Sequence, residues 1–373
     1  MTVPAPAAPG EHIEDVDTPA LLVDLDRFEA NLDTMAARAA TAGVALRPHA
    51  KAHRCPMVAH AQLERGAIGQ CCQKVAEAEA MVVGGVQNVL ITNEIVNPRK
   101  LARVAALAQH VEIGVCVDSI LGVERLAEAA TTFDVEIRVL VEIDAGQHRC
   151  GVPPGEAAAD LARLITGHRG LKFDGLQAYH GSAQQIRDHS ARATAINGTL
   201  EAVEATIQAM RAAGISCATV TGAGTGTYPF EAASGLYTEI QPGSYIFMDH
   251  SYIRIMGPEG ETVVDFAPAL FVLTEVMSRP APDRAIVDAG NKSVSTDGGL
   301  PEIADLPGLA VRRVADEHGT IEVEEGDGPA LGARLCLLPG HCDTTVGLHD
   351  WLVGVRDGCV ESVWPITGRG RSY

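Results

Sequence analysis

The stretch Arg47-Pro48-His49-Ala50-Lys51-Ala52-His53-Arg54 places one lysine between two histidines and two arginines. Cationic neighbours, together with any burial, push a lysine pKa down and enrich its free amine. A free amine is what attacks an aldehyde cofactor to form a Schiff base. The same octet is equally the composition of a solvated basic loop, so other residues must decide. Gly222-Ala223-Gly224-Thr225-Gly226-Thr227 and Gly243-Ser244 offer unobstructed backbone N–H groups and hydroxyls, the chemistry of a phosphate cradle. A third constellation is Pro339-Gly340-His341-Cys342-Asp343-Thr344-Thr345. In an extended segment residues i and i+2 share a side, so His341 and Asp343 would face one cation with Cys342 turned away. Nitrogen plus oxygen ligands completed by water suit Mg²⁺, Mn²⁺ or a weakly held Zn²⁺. A hydrogen-bonded His–Asp turn is the bland alternative.

These residues need elements to position them. Thr18-Pro19 introduces a short buried strand, Ala20-Leu21-Leu22-Val23. Asp24 or Asp26 can cap a helix over about 27–42, with Gly43 as its stop. β-rich runs follow at 44–50, 69–73, 89–93, 112–118, 136–144, 173–180, 218–223 and 239–247. Alanine-rich helical stretches at 55–66, 74–84, 97–109, 119–130, 156–168 and 185–213 separate nearly all of them. Eight such units in about 220 residues predict an α/β fold, a TIM-type (β/α)8 barrel, rather than an open doubly wound sheet. No Gly-x-Gly-x-x-Gly opens the first crossover, which argues against a dinucleotide site. From Val263 onward alternating runs replace helices, and Asp357-Gly358 marks a hairpin turn. The expected division is a barrel over 19–260 and a C-terminal all-β domain over 261–373, with residues 1–18 joining the latter.

Strand C-termini of such a barrel converge on one mouth. They carry Lys51, Gln73, Asn93, Asp118, Asp144 with Arg149 beyond it, Tyr179-His180, Gly222 to Thr227, and Gly243-Ser244-Tyr245. Two Gly-rich loops at the last two strands occupy the usual phosphate position of the fold. Once the barrel closes, the first-strand lysine neighbours them, and lysine plus phosphate site points to pyridoxal 5'-phosphate. Arg149 would then face the cofactor's phenolate oxygen and Tyr179 its ring. The predicted cofactor set is Lys51, Gln73, Arg149, Tyr179, Gly222, Gly224, Thr225, Gly226, Gly243, Ser244 and Tyr245.

Bulk properties restrict the function class. The 373 residues carry a formal net charge of −19, which disfavours nucleic acid, although a local site can still bind a small anion. Nine cysteines, two of them adjacent at Cys71-Cys72, fit reduced cytoplasmic thiols better than a disulfide scaffold. Residues 1–17 lack the pattern of a signal peptide, and no run reaches the length of a membrane span.

Several motifs together resemble a known family. Pro48-His49-Ala50-Lys51, Cys71-Cys72-Gln73-Lys74-Val75-x-Glu77-Ala78-Glu79, Glu142-Ile143-Asp144 with Arg149-Cys150-Gly151-Val152, and Pro339-Gly340-His341-Cys342-Asp343 look like the D-threonine aldolase group. That group lies within the alanine-racemase-like (fold type III) pyridoxal-phosphate enzymes. Gly243-Ser244-Tyr245-x-Phe247-Met248-Asp249 and the tail from His349-Asp350-Trp351 to Trp364-Pro365 are similar to 3-hydroxy-D-aspartate aldolases. The resemblance implies a homodimer with its site between one barrel mouth and the partner's β domain. It implies cofactor on Lys51 and a divalent cation on His341 and Asp343. Related D-serine dehydratases read His-x-Cys where this chain reads His-x-Asp, which favours an aldolase over a dehydratase; a dehydratase or racemase acting on D-serine or 3-hydroxyaspartate is the alternative within the same fold. Tyr179-His180-Gly181 departs from the hydroxyaspartate aldolases, which have Gln in the middle, and leaves the substrate open. The implied reaction is retro-aldol cleavage of a β-hydroxy-D-amino acid, with His180 or a metal-bound hydroxide as base. His53 or Arg54 would hold a second carboxylate if the substrate is 3-hydroxyaspartate. A non-catalytic cofactor carrier is the rival from another class, disfavoured by the added β domain.

Overall fold

The computed structural model describes residues 4–373 except 264, 305, 307 and 324–327. Strand β1 (Ala20–Asp24) leads into helix α1 (Leu25–Ala42), whose N-terminus is capped by Asp24 Oδ1 accepting from Arg27 N at 3.0 Å. Gly43, at φ 68, ends it in the left-handed conformation that glycine adopts without strain. Along α1, Leu25, Phe28, Leu32, Met35 and Ala39 are buried, the three-to-four spacing of one helical face.

The barrel then unrolls as β2 (Ala45–Leu46), α2 (Pro56–Glu64), β3 (Gln70–Cys72), α3 (Val75–Val83), β4 (Asn88–Glu94), α4 (Pro98–Ala108), β5 (Glu112–Val117) and α5 (Ile120–Phe133). It continues with β6 (Ile137–Glu142), α6 (Glu156–Thr166), β7 (Leu171–Ala178), α7 (His189–Ala212), β8 (Thr219–Gly222), α8 (Tyr228–Ala233) and β9 (Glu239–Ile240). All eight strands β2–β9 are parallel, in the order β2-β9-β8-β7-β6-β5-β4-β3. The sheet curls until its edges meet. Ile68 N donates to Leu46 O at 2.9 Å, Cys71 N donates to Pro48 O at 2.8 Å, and His49 bridges Cys71. Each of the eight expected strand positions is occupied. Helix α7 starts at His189 rather than 185, because Asp188 is its cap, accepting from Ala191 N. The short α8 gives little sequence signal at six residues.

The narrow barrel interior is filled by small or slender side chains, Cys71, Leu90, Cys116 and Leu140. Beside them the buried Arg47 pairs with Glu239 at 3.0 Å and donates to Asn88 Oδ1 at 2.6 Å. The outer face packs under the helices as one large apolar cluster.

The second sheet comprises β1 with β10 (Leu270–Ala281), β11 (Arg284–Val287), β12 (Glu302–Ile303), β13 (Leu309–Val314), β14 (Gly319–Val323), β15 (Arg334–Leu338), β16 (Trp351–Arg356) and β17 (Cys359–Pro365). The turn between β16 and β17 has Asp357 at φ 49 and Gly358 at φ 75, the primed hairpin turn that an Asp-Gly pair favours. A short helix, α9 (Cys342–Val346), follows β15. The lead also joins this sheet: Gly10 N donates to Val360 O, Ile13 N donates to Gly358 O, and His12 bridges Cys359. Strand β1 lies between β10 and β16, so the short buried strand that the expected division placed within 19–260 pairs in the mixed sheet. Its apolar run would fit either sheet; only pairing distinguishes them. No helix among the described residues is long and apolar enough to cross a membrane.

Candidate active site

Lys51 sits just past β2 in a single turn of 3-10 helix, where His49 Nδ1 accepts from Lys51 N at 3.3 Å. His49 Nε2 lies 3.3 Å from Gln73 Oε1 and 3.1 Å from Thr92 Oγ1. Burial pushes His49 down to about 3 and His53 down to about 4, so both rings are neutral near pH 7. Arg47 is turned inward onto Glu239, and Arg54 Nη1 donates to Ser372 Oγ. The flanking residues therefore do not depress the lysine. Lys51 Nζ instead lies 3.1 Å from Asp343 Oδ2, and that carboxylate raises the lysine above its ordinary range. Against the upward pull of burial, Lys51 and His341 hold Asp343 well below the usual carboxylate range. The expected depression of Lys51 is thus reversed, by a partner from the other sheet.

Lys51 opens into a cavity of about 210 Å³ at the C-terminal mouth of the barrel. Gln73, Arg149 and Tyr179 line it, as do Gly224, Thr225, Gly243 and Ser244 from the two Gly-rich loops. The loops lie against other groups where side chains would not fit. A Cβ on Gly243 would sit 2.7 Å from His49 O, and one on Gly224 2.4 Å from Gln184 Oε1. Gln184 braces the loop, accepting from Gly226 N at 3.1 Å and donating to Thr227 Oγ1 at 2.8 Å. Thr225 Oγ1 is buried with no hydrogen-bond partner. Buried hydroxyls are almost always satisfied, so this one marks a place for a ligand oxygen. The described lining holds cations, amides and hydroxyls but no carboxylate, the donor set of an anion site. These residues fit pyridoxal phosphate. Arg149 stacks over Tyr179 at 5.8 Å, and its Nη2 is 3.8 Å from Glu142 Oε1. Burial and the neighbouring Glu94 carboxylate push Glu142 upward, so Glu142 behind Arg149 keeps its proton near pH 7.

Thr227 Oγ1 donates to Glu231 Oε1 at 2.8 Å, and burial pushes Glu231 up to about 7 from 4.5. In the unfolded chain it ionises near 4.5, so its stabilising proton is fully present below that pH and lost as pH rises through about 7. Glu231→Gln keeps the acceptor and removes the ionisation. It is expected to raise the urea midpoint at pH 8 by the equivalent of about 2–4 kcal/mol, a gain that disappears by about pH 4.5.

His341 precedes α9 in extended conformation, with Nδ1 2.9 Å from Asp297 Oδ2. Its Nε2 is 4.0 Å from Asp343 Oδ1, which also accepts from Ser244 Oγ at 3.1 Å. The segment is helical from Cys342, so the extended i, i+2 argument does not apply, yet the turn still brings the two side chains together. Cys342 is buried, and its Sγ donates to Asp343 Oδ1 at 3.3 Å. One imidazole nitrogen and one carboxylate oxygen suit a divalent cation.

The family profile described as "Alanine racemase, N-terminal domain" matches residues 23–251, the span that carries Lys51, Arg149 and both Gly-rich loops. The chain belongs to this family. A serine dehydratase domain profile matches residues 269–355, which include His341 and Asp343. The chain is 48% identical to the D-threonine aldolase of Arthrobacter sp over 100% of its own length and 98% of the relative's. It is 41% identical to the 3-hydroxy-D-aspartate aldolase of Paracoccus denitrificans (strain Pd 1222), covering 99% and 96% of the two chains. The crystal structure of the D-threonine aldolase from Filomicrobium marinum superposes with a TM-score of 0.95 at 46% identity, over 99% of this chain and 100% of that one.

Some expected residues stand outside the cavity. The His180 ring sits 3.1 Å from Thr199 Oγ1 and against Gly146, and it does not line the cavity. Gly222 shapes the strand end, where a Cβ would sit 2.0 Å from Ala178 O. Gly226 packs on the Gln184 backbone, and the Tyr245 hydroxyl accepts from Gln62 Nε2 at 3.2 Å inside the core. His53 Nδ1 bonds the Cys55 backbone, so neither it nor Arg54 reaches the cavity. The structure adds His49, Thr92, Gln177 and Gln241 to the lining, the last three from strands or their ends. His49 had a sequence signal, since it is two residues from the lysine. Thr92, Gln177 and Gln241 read as ordinary polar strand residues until the barrel closes.

Proposed function

We propose that the chain is a pyridoxal-phosphate- and divalent-metal-dependent carbon–carbon lyase that cleaves β-hydroxy-D-amino acids to glycine and an aldehyde, with D-threonine preferred over 3-hydroxyaspartate. The observation that carries it is the meeting of Lys51, the His341–Asp343 pair and the glycine–hydroxyl cradle at one barrel mouth. Lys51 is the residue to hold the cofactor's aldehyde carbon. Gly224, Thr225, Gly243 and Ser244 would hold its phosphate, Arg149 its phenolate oxygen, and Tyr179 its ring. When bound, pyridoxal phosphate supplies the sink for the electron pair left by Cα–Cβ cleavage. A cation on His341 and Asp343, with Mn²⁺ or Mg²⁺ the expected ion, supplies a Lewis acid for the substrate's β-oxygen. The Lys51 amine, which opens into the same cavity, would be the group to return a proton to Cα and complete glycine.

The substrate preference rests on charge. Lys51 and Arg149 are the Lys/Arg side chains in the described lining, and both have assignments to the cofactor. His53 and Arg54 bond elsewhere, so the β-carboxylate of 3-hydroxyaspartate would have no cation of its own. A homodimer and a cytoplasmic location belong to the same proposal, supported by the resemblance to the aldolase group; the β domain that meets the Lys51 mouth is the chain's own rather than a partner's, since Asp343 of the same chain lies 3.1 Å from Lys51 Nζ.

The test incubates purified protein with pyridoxal phosphate, with and without Mn²⁺ or Mg²⁺. Glycine and acetaldehyde are measured from D-threonine, glycine and glyoxylate from 3-hydroxyaspartate, and ammonia from both. Metal-dependent glycine is expected, with kcat/KM for D-threonine higher by at least about fivefold, the least cost (about 1 kcal/mol) of burying an unpartnered polar group. Higher kcat/KM for 3-hydroxyaspartate would reverse the preference. Ammonia without glycine would mean a dehydratase.

A further inference from the structure

Asp297 stands on the loop between β11 and β12, far in sequence from any residue assigned above. Its Oδ2 lies 2.9 Å from His341 Nδ1, while its Oδ1 accepts from Thr344 Oγ1 at 2.7 Å and from Ser295 Oγ at 2.7 Å. The carboxylate is thus held from both sides. The loop is fastened to the His341 segment: Ser295 N donates to Thr345 Oγ1 at 3.2 Å, and a Cβ on Gly298 would sit 2.4 Å from Gly340 O. Only a glycine there lets the two backbones approach closely enough for Asp297 to reach the imidazole.

The consequence is chemical. A neutral imidazole carries its proton on one nitrogen and a lone pair on the other, and the partner of one nitrogen decides which. A carboxylate acceptor at Nδ1 places the proton there and leaves the Nε2 lone pair bare, on the side facing Asp343 Oδ1. Carboxylate–histidine pairs of this kind fix ring orientation and raise ligand basicity at metal sites.

We infer that Asp297 is a positioning residue that sets the tautomer and ring plane of His341 for a divalent cation. This rests on reading His341 and Asp343 as the cation's ligands. Asp297 acts through His341 and does not line the Lys51 cavity.

The test titrates Mn²⁺ into cofactor-loaded protein and follows free Mn²⁺ by electron paramagnetic resonance. The wild type is compared with Asp297→Ala, Asp297→Asn and His341→Ala, and each metal-free protein is also melted. Asp297 has a half-exposed side chain, so the metal-free melting midpoint of Asp297→Ala should match the wild type. Its Mn²⁺ Kd should rise about 10–100-fold. Asp297→Asn, whose amide oxygen still accepts from Nδ1, should recover part of that loss. Unchanged Kd in Asp297→Ala overturns the inference, as does equal damage in Asp297→Asn, which would make the charge itself the ligand. Wild-type binding that His341→Ala leaves intact overturns the ligand assignment and the inference with it. Loss in His341→Ala alone overturns only the role of Asp297.

Discussion

Lys51→Ala is expected to lose both the absorbance of lysine-bound cofactor and glycine release from every β-hydroxy-D-amino acid, with kcat/KM falling by at least about 10³-fold. Two roles end together. On the proposed assignment the variant lacks both the amine that would hold the cofactor's aldehyde carbon and the group that would transfer a proton at Cα, the latter worth about 10²–10⁴-fold. The cradle is untouched, so the variant should still bind the cofactor noncovalently through Gly224, Thr225, Gly243 and Ser244. Spectra of cofactor-loaded protein before and after borohydride reduction check the first role. Glycine assays of the same samples check the second. Retained activity with cofactor bound would remove Lys51 from the chemistry.

Asp343→Asn should be nearly as severe, for a different reason. Asp343 meets Lys51 Nζ, Ser244 Oγ, Cys342 Sγ and His341 at one point, and it remains ionised at any working pH because Lys51 and His341 outweigh its burial. An amide keeps the shape and removes the charge that would attract a cation. Chelator treatment followed by Mn²⁺ is expected to switch wild-type glycine release off and on. The variant should show a low rate that neither treatment moves, about 10²–10³-fold below the metal-loaded wild type, because Lewis-acid stabilisation is worth several kcal/mol. Lys51 should also titrate lower in the variant, since the charge that raises it has gone. A variant that still responds fully to Mn²⁺ would place the cation elsewhere.

Residues close together along the chain were legible from sequence. Asp24 and Gly43 bound α1 because capping is a matter of one or two backbone groups, and Asp357-Gly358 makes its turn because both positions need positive φ. The alternation of apolar runs with alanine-rich helices determined the closed parallel barrel, and that closure placed Lys51, Gln73, Arg149, Tyr179 and the Gly-rich loops at one mouth. Side-chain direction was not legible. Tyr245 and His180 sit at the correct strand ends but turn into the core or towards α7, which neighbours distant in sequence decide. The protonation state of Lys51 is not legible in the sequence because its sequence neighbours are not its spatial ones. His49 and His53 are neutralised by burial, Arg47 is claimed by Glu239, and Asp343 arrives from beyond β15 with a charge that outweighs them all. Asp297 shows the same limit. The sequence by itself determined the fold and which residue types gather at the mouth, because periodicity and turn chemistry are local. The electrostatic state of each group was decided by tertiary structure, because charge acts through space and burial is a property of the packed chain.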